Sequence, residues 1–349
     1  MGKQQRAAIV GSTGYGGVEL IRLLLRHPLV AITSVVSSST PGVPIAEGYP
    51  HLSEIMVDRL DAVDVALLQE KADVVFLATP HGVSTTLSPK LLEAGLRVID
   101  ISGDLRLKSG EVYEQWYKHK PADDAILQRA VYGLAEVFGE ECRGVELIAN
   151  PGCFPTATLL GLIPAVKAGW IDPKTIIADA KTGVSGAGRG VSLGVHFSEV
   201  NENFYAYKVN KHQHTPEIEM VLSRIAGYEV PVTFTAHLVP MTRGILCTAY
   251  ASIVGEHTED EFLQLYRQYY EGRPFVRVRE KGQVPATKQV WGSNYCDIGL
   301  SVDKRTNRVT ILSAIDNLMK GAAGQAVQNL NLMMGWDETT GLEFTPVYP

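Results

Sequence analysis

Cysteine is scarce in this sequence, which contains four in 349 residues. No two of them form a Cys-x-x-Cys pair and none lies beside histidines at the spacing of metal ligands, which argues against a disulfide framework and a zinc site. Unpaired cysteines are usual in a reducing compartment, so we expect a cytoplasmic protein. The four are Cys142, Cys153, Cys247 and Cys296.

Long apolar runs and basic clusters are missing as well. No segment approaches the roughly 18 consecutive apolar residues of a membrane span. The first residues lead directly into a strand and a glycine turn, without the apolar core of a secretory signal. The net charge of −6, with no run of lysine or arginine, argues against a nucleic acid as the main partner. We therefore expect small-molecule ligands.

The first half of the chain alternates strand-like and helix-like segments, whereas the second half has longer strands with fewer helices between them. Alternation predicts βαβ units and a parallel sheet, and successive strands predict a mixed sheet. The predicted fold is α/β in two domains, as expected for 349 residues. A Rossmann-type dinucleotide-binding domain covers residues 1–150, an α+β catalytic and oligomerisation domain covers 151–315, and a C-terminal helical segment at about 316–349 completes the first domain.

Local signals set the expected limits of three helices. Ser88, Pro89 and Gly95 predict the cap, the first turn and the end of one helix. Pro164 lies inside a second and predicts a kink or an end there. A capping box from Thr258 to Glu261 predicts the start of the third.

A glycine-rich turn, IVGSTGYGGVEL, joins the first strand to the first helix. Glycines let the backbone approach a pyrophosphate, whose charge the helix N-terminus stabilises. Such a turn can also serve only to pack a helix on a sheet, but its place inside a βαβ unit favours a dinucleotide. The residues expected at the cofactor are Gly11, Thr13, Gly14, Tyr15, Gly16 and Gly17.

Three serines, Ser37, Ser38 and Ser39, follow the second strand at the position where NAD-binding proteins carry an acid. A carboxylate there would bind the ribose 2′-hydroxyl and repel a 2′-phosphate. Its absence favours NADP(H) over NAD. The alternative interpretation is a serine-rich surface loop.

Cys153 differs from the other cysteines in its surroundings, LIANPGCFPTATLL. It follows a strand-like run and begins a helix-like one, where unpaired N–H groups and the helix dipole stabilise a thiolate. The position predicts a nucleophile, whereas the other three cysteines fit inert, buried sites.

A reactive cysteine needs an acid/base partner, and NKHQHTPEIE supplies His212 and His214 with Glu217 close behind. Side chains two residues apart point about 200° apart on a helix, so we expect at most one ring to face the thiol. A zinc site is the rival interpretation, but a third ligand at suitable spacing is lacking. His196 and His237 are further candidates.

Together these segments resemble the N-acetyl-γ-glutamyl-phosphate reductase family of arginine biosynthesis. The resemblance covers essentially the whole chain, and the cysteine segment is its most specific motif. The blocks that carry it, in chain order, are GSTGYGG, ATPHG, DISGDLRL, NPGCFPTA, TGVSGAGRG, KHQHTPEIE, HLVPMTRGI and AIDNLMKGAAGQAVQN.

The resemblance implies a chemistry and further site residues. Cys153 attacks the acyl phosphate of N-acetyl-L-glutamyl 5-phosphate, phosphate leaves, and NADPH reduces the thioester to the 5-semialdehyde. His212 is implied as the acid/base, with His214 as the alternative. The implied substrate residues are Arg106, Arg243, His196, His214 and Glu217. The implied cofactor residues beyond the glycine turn and the serines are Pro80, Ser102, Gly183, Ser185 and Asn317, in part from a loop that also carries Arg189.

Several alternatives stay open. Arg106 and Arg243 also fit surface ion pairs, and Asn317 also fits a helix N-cap. Related reductases act on aspartyl or aminoadipyl phosphate, and a cysteine hydrolase or a silent nucleotide-binding regulator would share some of the features. The family forms homodimers and homotetramers, and the resemblance implies one of these states.

Overall fold

The computed structural model describes residues 4–348, which form two units. One comprises the chain up to Pro151 together with Ala322–Glu343, and the other comprises Gly152–Gly321 and the residues from Phe344 onward. The chain thus returns to the first unit at Ala322, a few residues later than the sequence interpretation places it. Within residues 4–348, no helix is both long and apolar enough to cross a bilayer.

The first unit is built on a six-stranded parallel sheet with the strand order β2-β1-β3-β4-β6-β5. Its central strands are apolar and buried along their length, as expected when helices cover both faces of a parallel sheet. The strands are β1 (Gln5–Val10), β2 (Val30–Val36), β3 (Val74–Leu77), β4 (Arg97–Asp100), β5 (Val131–Tyr132) and β6 (Leu147–Ala149).

Helices connect these strands. The first helix buries Leu20, Ile21 and Leu24 on one face, the spacing of an amphipathic helix. The helices of this part are α1 (Tyr15–Leu24), α2 (Ile45–Gly48), α3 (Val65–Lys71), α4 (Ser84–Glu93), α5 (Gly110–Tyr117), α6 (Asp124–Arg129) and α7 (Ala135–Phe138).

Helix α4 begins earlier than the sequence predicts. The prediction that Ser88 caps it and Pro89 opens its first turn is wrong, because the helix starts at Ser84 and Pro89 lies inside it. The cap comes from a distant residue: the Asp104 carboxylate accepts the N–H groups of Gly82 at 2.8 Å and Ser84 at 3.0 Å. A partner 20 residues along the chain is invisible to a local capping rule.

The second unit contains a seven-stranded mixed sheet with the order β11-β12-β13-β10-β7-β9-β8. Its strands are β7 (Ile177–Thr182), β8 (Tyr205–Tyr207), β9 (Thr233–Leu238), β10 (Ile245–Ser252), β11 (Val276–Val278), β12 (Cys296–Asp303) and β13 (Arg308–Ile315). Its helices are α8 (Cys153–Lys167), α9 (Phe197–Val200), α10 (Thr215–Ala226) and α11 (Glu259–Tyr269). After a π-helical turn at Met319–Ala323, α12 (Gly324–Met333) completes the first unit. The predicted fold class is confirmed.

One face of this mixed sheet is covered and the other is open. Residues of β10 alternate between buried and half-buried. The buried side packs on α8, where Cys247 Sγ lies 3.4 Å from Thr158 Oγ1 and Ser313 Oγ donates to the Ala157 carbonyl at 2.7 Å. The opposite side, which carries Thr248 and Tyr250, is half-exposed.

The predicted capping box is confirmed at the start of α11. Thr258 N–H donates to Glu261 Oε2 at 2.7 Å, and Glu261 N–H donates to Thr258 Oγ1 at 3.3 Å. This signal is wholly local, which is why the sequence suffices to find it.

Helix α8 runs through Pro164 to Lys167, so of the two expected effects of this proline the end of the helix is wrong, and the kink stays a prediction. Proline has no N–H and leaves the carbonyl four residues earlier, that of Leu160, without its helical donor. The Tyr270 hydroxyl donates to this carbonyl at 2.5 Å, and the Tyr266 hydroxyl donates to the next one, Gly161, at 2.6 Å. Tyr270 thus replaces the missing donor at the Leu160 carbonyl, and Tyr266 adds a hydrogen bond to the next carbonyl.

We expect Tyr270→Phe to lower the free energy of unfolding by about 1–3 kcal/mol, since it leaves a buried carbonyl unsatisfied. In a Pro164→Ala background the new backbone N–H can reach the Leu160 carbonyl, so the same substitution should cost less. Chemical denaturation of the four proteins in this double-mutant cycle measures the difference. An equal cost in both backgrounds would contradict the assignment.

Candidate active site

The glycine turn forms an open helix N-terminus in the first unit. Gly11 has a φ of +87°, and a β-carbon there or at Gly17 would overlap backbone atoms of neighbouring residues. At Gly16 a β-carbon would meet nothing within 4 Å. The N-cap of α1 is Gly14, which has no side chain to cap the helix. Tight packing explains Gly11 and Gly17, while a helix N-terminus that begins at a glycine fits a phosphate.

The loop after β2 presents hydroxyl groups. Ser37 Oγ lies 3.2 Å from the hydroxyls of both Ser39 and Thr40. Ser37 is buried, and Ser38 and Ser39 are exposed. Close to this loop, Arg59 Nη1 donates to the Gly42 carbonyl at 2.8 Å.

An acid beside that loop is already engaged. Asp61 follows Arg59 closely in sequence, and its carbonyl accepts the Ser37 N–H at 3.1 Å. Its carboxylate accepts from Lys71 Nζ at 2.8 Å and from Ser34 Oγ at 2.7 Å. The loop therefore offers hydroxyls and a nearby guanidinium, and the Asp61 carboxylate is paired with a lysine.

The segments after β3 and β4 carry Pro80 and Ser102. Ser102 Oγ donates to Asp100 Oδ1 at 2.7 Å and lies 3.1 Å from Ser84 Oγ. Asp100 is fully buried, and burial together with the charge of Asp104 raises its pKa. Asp104, which also accepts the Tyr113 hydroxyl at 2.7 Å, fixes the loop that follows Pro80. In the sequence, only their place in the DISGDLRL block singles out Asp100 and Asp104.

Arg106 is buried in the first unit. Its Nε donates to the Asn150 carbonyl at 2.7 Å and its Nη2 donates to the Ile101 carbonyl at 2.9 Å. Only 4% of the residue is exposed, so the surface ion pair weighed for it is wrong.

In the second unit, Cys153 is the first residue of α8, directly after its N-cap Gly152. The cysteine is half-buried. The Gly152 N–H donates to Glu217 Oε1 at 2.8 Å, and Glu217 is fully buried in the first turn of α10. A single carboxylate therefore joins the start of α10 to the start of α8.

Both histidine rings lie beside this helix start. The Phe154 ring contacts His212 at 5.4 Å and His214 at 5.9 Å between centroids, and the two imidazoles are 4.8 Å apart. The two rings do not diverge as they would on a helix, because His212 and His214 occupy a turn before α10. That at most one of them faces the thiol stays a prediction. Within residues 4–348, no three metal-ligating side chains are grouped to hold an ion.

His212 is uncharged at neutral pH. It is 4% exposed, and burial, with a smaller contribution from the charge of Lys208, lowers its pKa to about 3. Its Nδ1 accepts the His214 backbone N–H at 3.2 Å. The proton of the neutral ring is thereby assigned to Nε2, which can donate a hydrogen bond.

A second cluster joins the loop after β7 to the segment after β13. Gly183 N–H donates to the Gly244 carbonyl at 2.9 Å. The Asn317 amide accepts from Gly244 N–H at 2.7 Å and donates to Ser185 Oγ at 2.9 Å. The fold thus brings Gly183, Ser185 and Asn317 together.

Asp316, and not Asn317, caps the turn that follows β13. Its Oδ1 accepts the N–H groups of Leu318 at 2.8 Å and Met319 at 3.1 Å. Its Oδ2 lies 3.5 Å from Arg243 Nη1, which orients that guanidinium.

The three remaining candidates lie on other segments of the second unit. His196 is exposed at the N-cap of α9, and Arg189 is exposed in the loop after β7. His237 lies on β9 with Nδ1 3.1 Å from Asp179 Oδ1.

We expect alkylation by iodoacetamide at neutral pH to modify Cys153 ahead of the other cysteines. Burial raises the pKa of Cys142 to about 12 and that of Cys247 to about 11, and Cys296 is fully buried. Peptide mass spectrometry over a time course measures the order. Modification of Cys247 at the same rate would contradict an accessible, activated Cys153.

His212 should make stability depend on pH. Its folded pKa is depressed below the ordinary value of 6.5, so its stabilising contribution is present above that value and is lost as the pH falls toward about 3. Between neutral pH and pH 5 the wild type should lose about 2 kcal/mol more than His212→Asn. Denaturation of both proteins at the two pH values tests this, and parallel losses would refute it.

Comparisons with known proteins agree with these two units. The semialdehyde dehydrogenase NAD binding domain matches residues 6–145, and the semialdehyde dehydrogenase dimerisation domain matches residues 153–317. Among solved structures, aspartate semialdehyde dehydrogenase II of Vibrio cholerae in complex with ASA superposes with a TM-score of 0.72 at 18% identity, covering 95% of this chain and 98% of that one. At such identity the likeness concerns the fold alone.

Sequence relatives are much closer. The N-acetyl-gamma-glutamyl-phosphate reductase of Brevibacillus brevis is 57% identical over 344 residues, which cover 99% of each chain. The reductase of the same name from Bacillus subtilis is 55% identical over 344 residues, 99% of this chain and 100% of the relative. With more than half of its residues shared along nearly its whole length, the chain belongs to the N-acetyl-gamma-glutamyl-phosphate reductase family.

Proposed function

We propose that this protein reduces N-acetyl-L-glutamyl 5-phosphate to N-acetyl-L-glutamate 5-semialdehyde and phosphate, with NADPH as the reductant. The observation that carries the proposal is Cys153 at the N-terminus of α8, beside a neutral buried histidine, in a chain 57% identical to a reductase of this name. A glycine turn suited to a dinucleotide supports the redox step.

The cysteine divides the reaction into two steps. The Cys153 thiolate attacks the acyl carbon, a carbon–sulfur bond forms, and the bond from that carbon to the phosphate oxygen breaks. When bound, the reduced nicotinamide supplies hydride to the thioester carbon. The carbon–sulfur bond then breaks, which releases the aldehyde and restores the thiolate. The N-terminus of α8 stabilises the negative charge on sulfur before the attack and again after the aldehyde has left.

His212 is the proposed partner of the cysteine. Because Nδ1 accepts a backbone N–H, the Nε2–H is the group that donates to sulfur or to the oxygen that becomes negative during hydride transfer. Burial disfavours a lasting imidazolium, so activation of the thiol rests on the helix N-terminus and this hydrogen bond. His214 is the alternative partner, since its ring also contacts Phe154.

Two arginines are the proposed anion-binding residues. Arg243 is held by Asp316 next to the loop that carries Gly183 and Ser185, and Arg106 is held by two carbonyls in the first unit. A guanidinium suits a carboxylate or a phosphate because it can donate two parallel hydrogen bonds. His196, Glu217 and Pro80 remain predicted site residues, and Glu217 supports Cys153 through Gly152.

NADP(H) is the proposed cofactor. In support, the loop after β2 has serine hydroxyls and a nearby arginine, and Asp61 beside it is paired with Lys71. Such a loop accommodates a 2′-phosphate, which a free carboxylate would repel. A solved structural relative, aspartate semialdehyde dehydrogenase of Candida albicans, was determined with NADP; its TM-score is 0.68 at 17% identity over 95% of this chain and 98% of that one.

We also propose a homodimer or homotetramer in the cytoplasm. The match to a dimerisation domain and the half-exposed face of the mixed sheet support self-association. The four cysteines, which all lie within the described residues and form no disulfide there, support a reducing compartment.

The deciding experiment is a substrate panel in the oxidising direction, with N-acetylglutamate, aspartate and aminoadipate semialdehydes, phosphate, and either NADP or NAD. We expect the acetylated substrate with NADP to exceed every other pair by at least about tenfold in kcat/KM. Cys153→Ser should lower kcat by about 1,000-fold or more while NADPH binding, followed by fluorescence, is retained.

Other outcomes separate the rival functions. Preference for aspartate or aminoadipate semialdehyde would reassign the substrate and keep the chemistry. Hydrolysis of the acyl phosphate without any NADPH binding would favour a cysteine hydrolase. Full activity of Cys153→Ser would exclude the thioester, and comparison of His212→Asn with His214→Asn assigns the partner.

A further inference from the structure

The π-helical turn Met319–Ala323 follows β13 and contains Gly321. Such turns are rare and occur frequently at functional sites. Glycine in a helical run usually marks a position that needs an unusual backbone or close packing. Gly321 does not have the positive φ that favours glycine, so its reason must be packing.

The packing partner is Cys153. A β-carbon built on Gly321 would lie 2.7 Å from the Cβ and 3.2 Å from the Cα of Cys153, and 3.3 Å from Ile315 Cδ1. Unbonded carbon atoms prefer separations of about 3.5–4.0 Å. Only a hydrogen atom fits on the Cα of residue 321. The absence of a side chain at Gly321 therefore leaves room for the β-carbon of Cys153.

Neither side of this contact can move away freely. The Gly321 N–H donates to the Asp316 carbonyl at 3.0 Å, while the Asp316 side chain caps Leu318 and Met319. The neighbouring Lys320 is fully buried over the Phe275 ring. On the other side, Gly152 is bound by Glu217.

We propose that Gly321 is a positioning residue for Cys153, which holds the thiol at the first position of α8 by offering no side chain. The role of the thiol rests on the proposed function, but the contact does not. In the reaction, a nucleophile displaced by about 1 Å loses on the order of 100-fold in rate.

The first test compares Gly321→Ala with a matched control, Gly161→Ala. The control adds a methyl group to the buried face of α8, where it meets Ile311 Cγ2 at 3.3 Å and Ser313 Oγ at 3.5 Å. We expect Gly321→Ala to lower kcat by about 10- to 100-fold and to change the rate and the pH profile of iodoacetamide alkylation of Cys153. The KM for NADPH should stay within about twofold in both variants. The control should leave the alkylation profile unchanged.

A wild-type kcat and alkylation profile in Gly321→Ala would overturn the proposal, as would equal changes in the control. Alkylation needs no substrate, so a changed profile without any reductase activity in the wild type would retain this inference and reject the proposed function.

A second test covers the case in which Gly321→Ala folds poorly. Cys153→Gly removes the β-carbon that the new methyl group would strike. We therefore expect Gly321→Ala to lower Tm in the wild-type background and to lower it clearly less in Cys153→Gly, with folding recovered if the single variant is unfolded. An equal fall in Tm in both backgrounds would show that the methyl group strikes something other than the cysteine.

Discussion

The hydrogen bond from the Gly152 N–H to the Glu217 carboxylate fixes the end of α8 that carries Cys153. Glu217 lies in the first turn of α10, and the turn before that helix carries His212 and His214. The same carboxylate therefore sets where α8 starts and where the imidazoles lie relative to it. It is fully buried, so without it a buried N–H would lack a partner and the two helix starts would lose their common anchor.

The rest of α8 is built to keep that end in place. Nearly every residue from Phe154 to Val166 is buried, so the helix lies between the mixed sheet and other helices and has no solvent face. Tyr266 and Tyr270 satisfy the carbonyls around Pro164, and Ser313 bonds a third carbonyl from the sheet side. Side chains from two directions thus hold the helix backbone itself, which limits any sliding of its N-terminus.

Close packing at glycine recurs in both units with different consequences. In the first unit, Gly11 and Gly17 let α1 approach the sheet, and the helix N-terminus stays open toward a phosphate. In the second unit, Gly321 lets the turn after β13 approach Cys153.

Asp104 and Asp316 act alike in the two units. Each is a buried acid that binds backbone N–H groups and thereby orders a loop beside predicted site residues.

The sequence by itself determined the features that depend on neighbours along the chain: the βαβ alternation, the glycine turn, the capping box at Thr258, and a cysteine between a strand and a helix. Its motif blocks also led to the family that the comparisons established. Only the tertiary structure decided the start of α4, the passage of α8 through Pro164, the adjacency of His212 and His214, the burial of Arg106, and the fit of Gly321 against Cys153. Most of these depend on a partner brought close by folding, and local patterns carry no record of a contact made across 20 residues, as between Ser84 and Asp104, or across 110 residues, as between Leu160 and Tyr270.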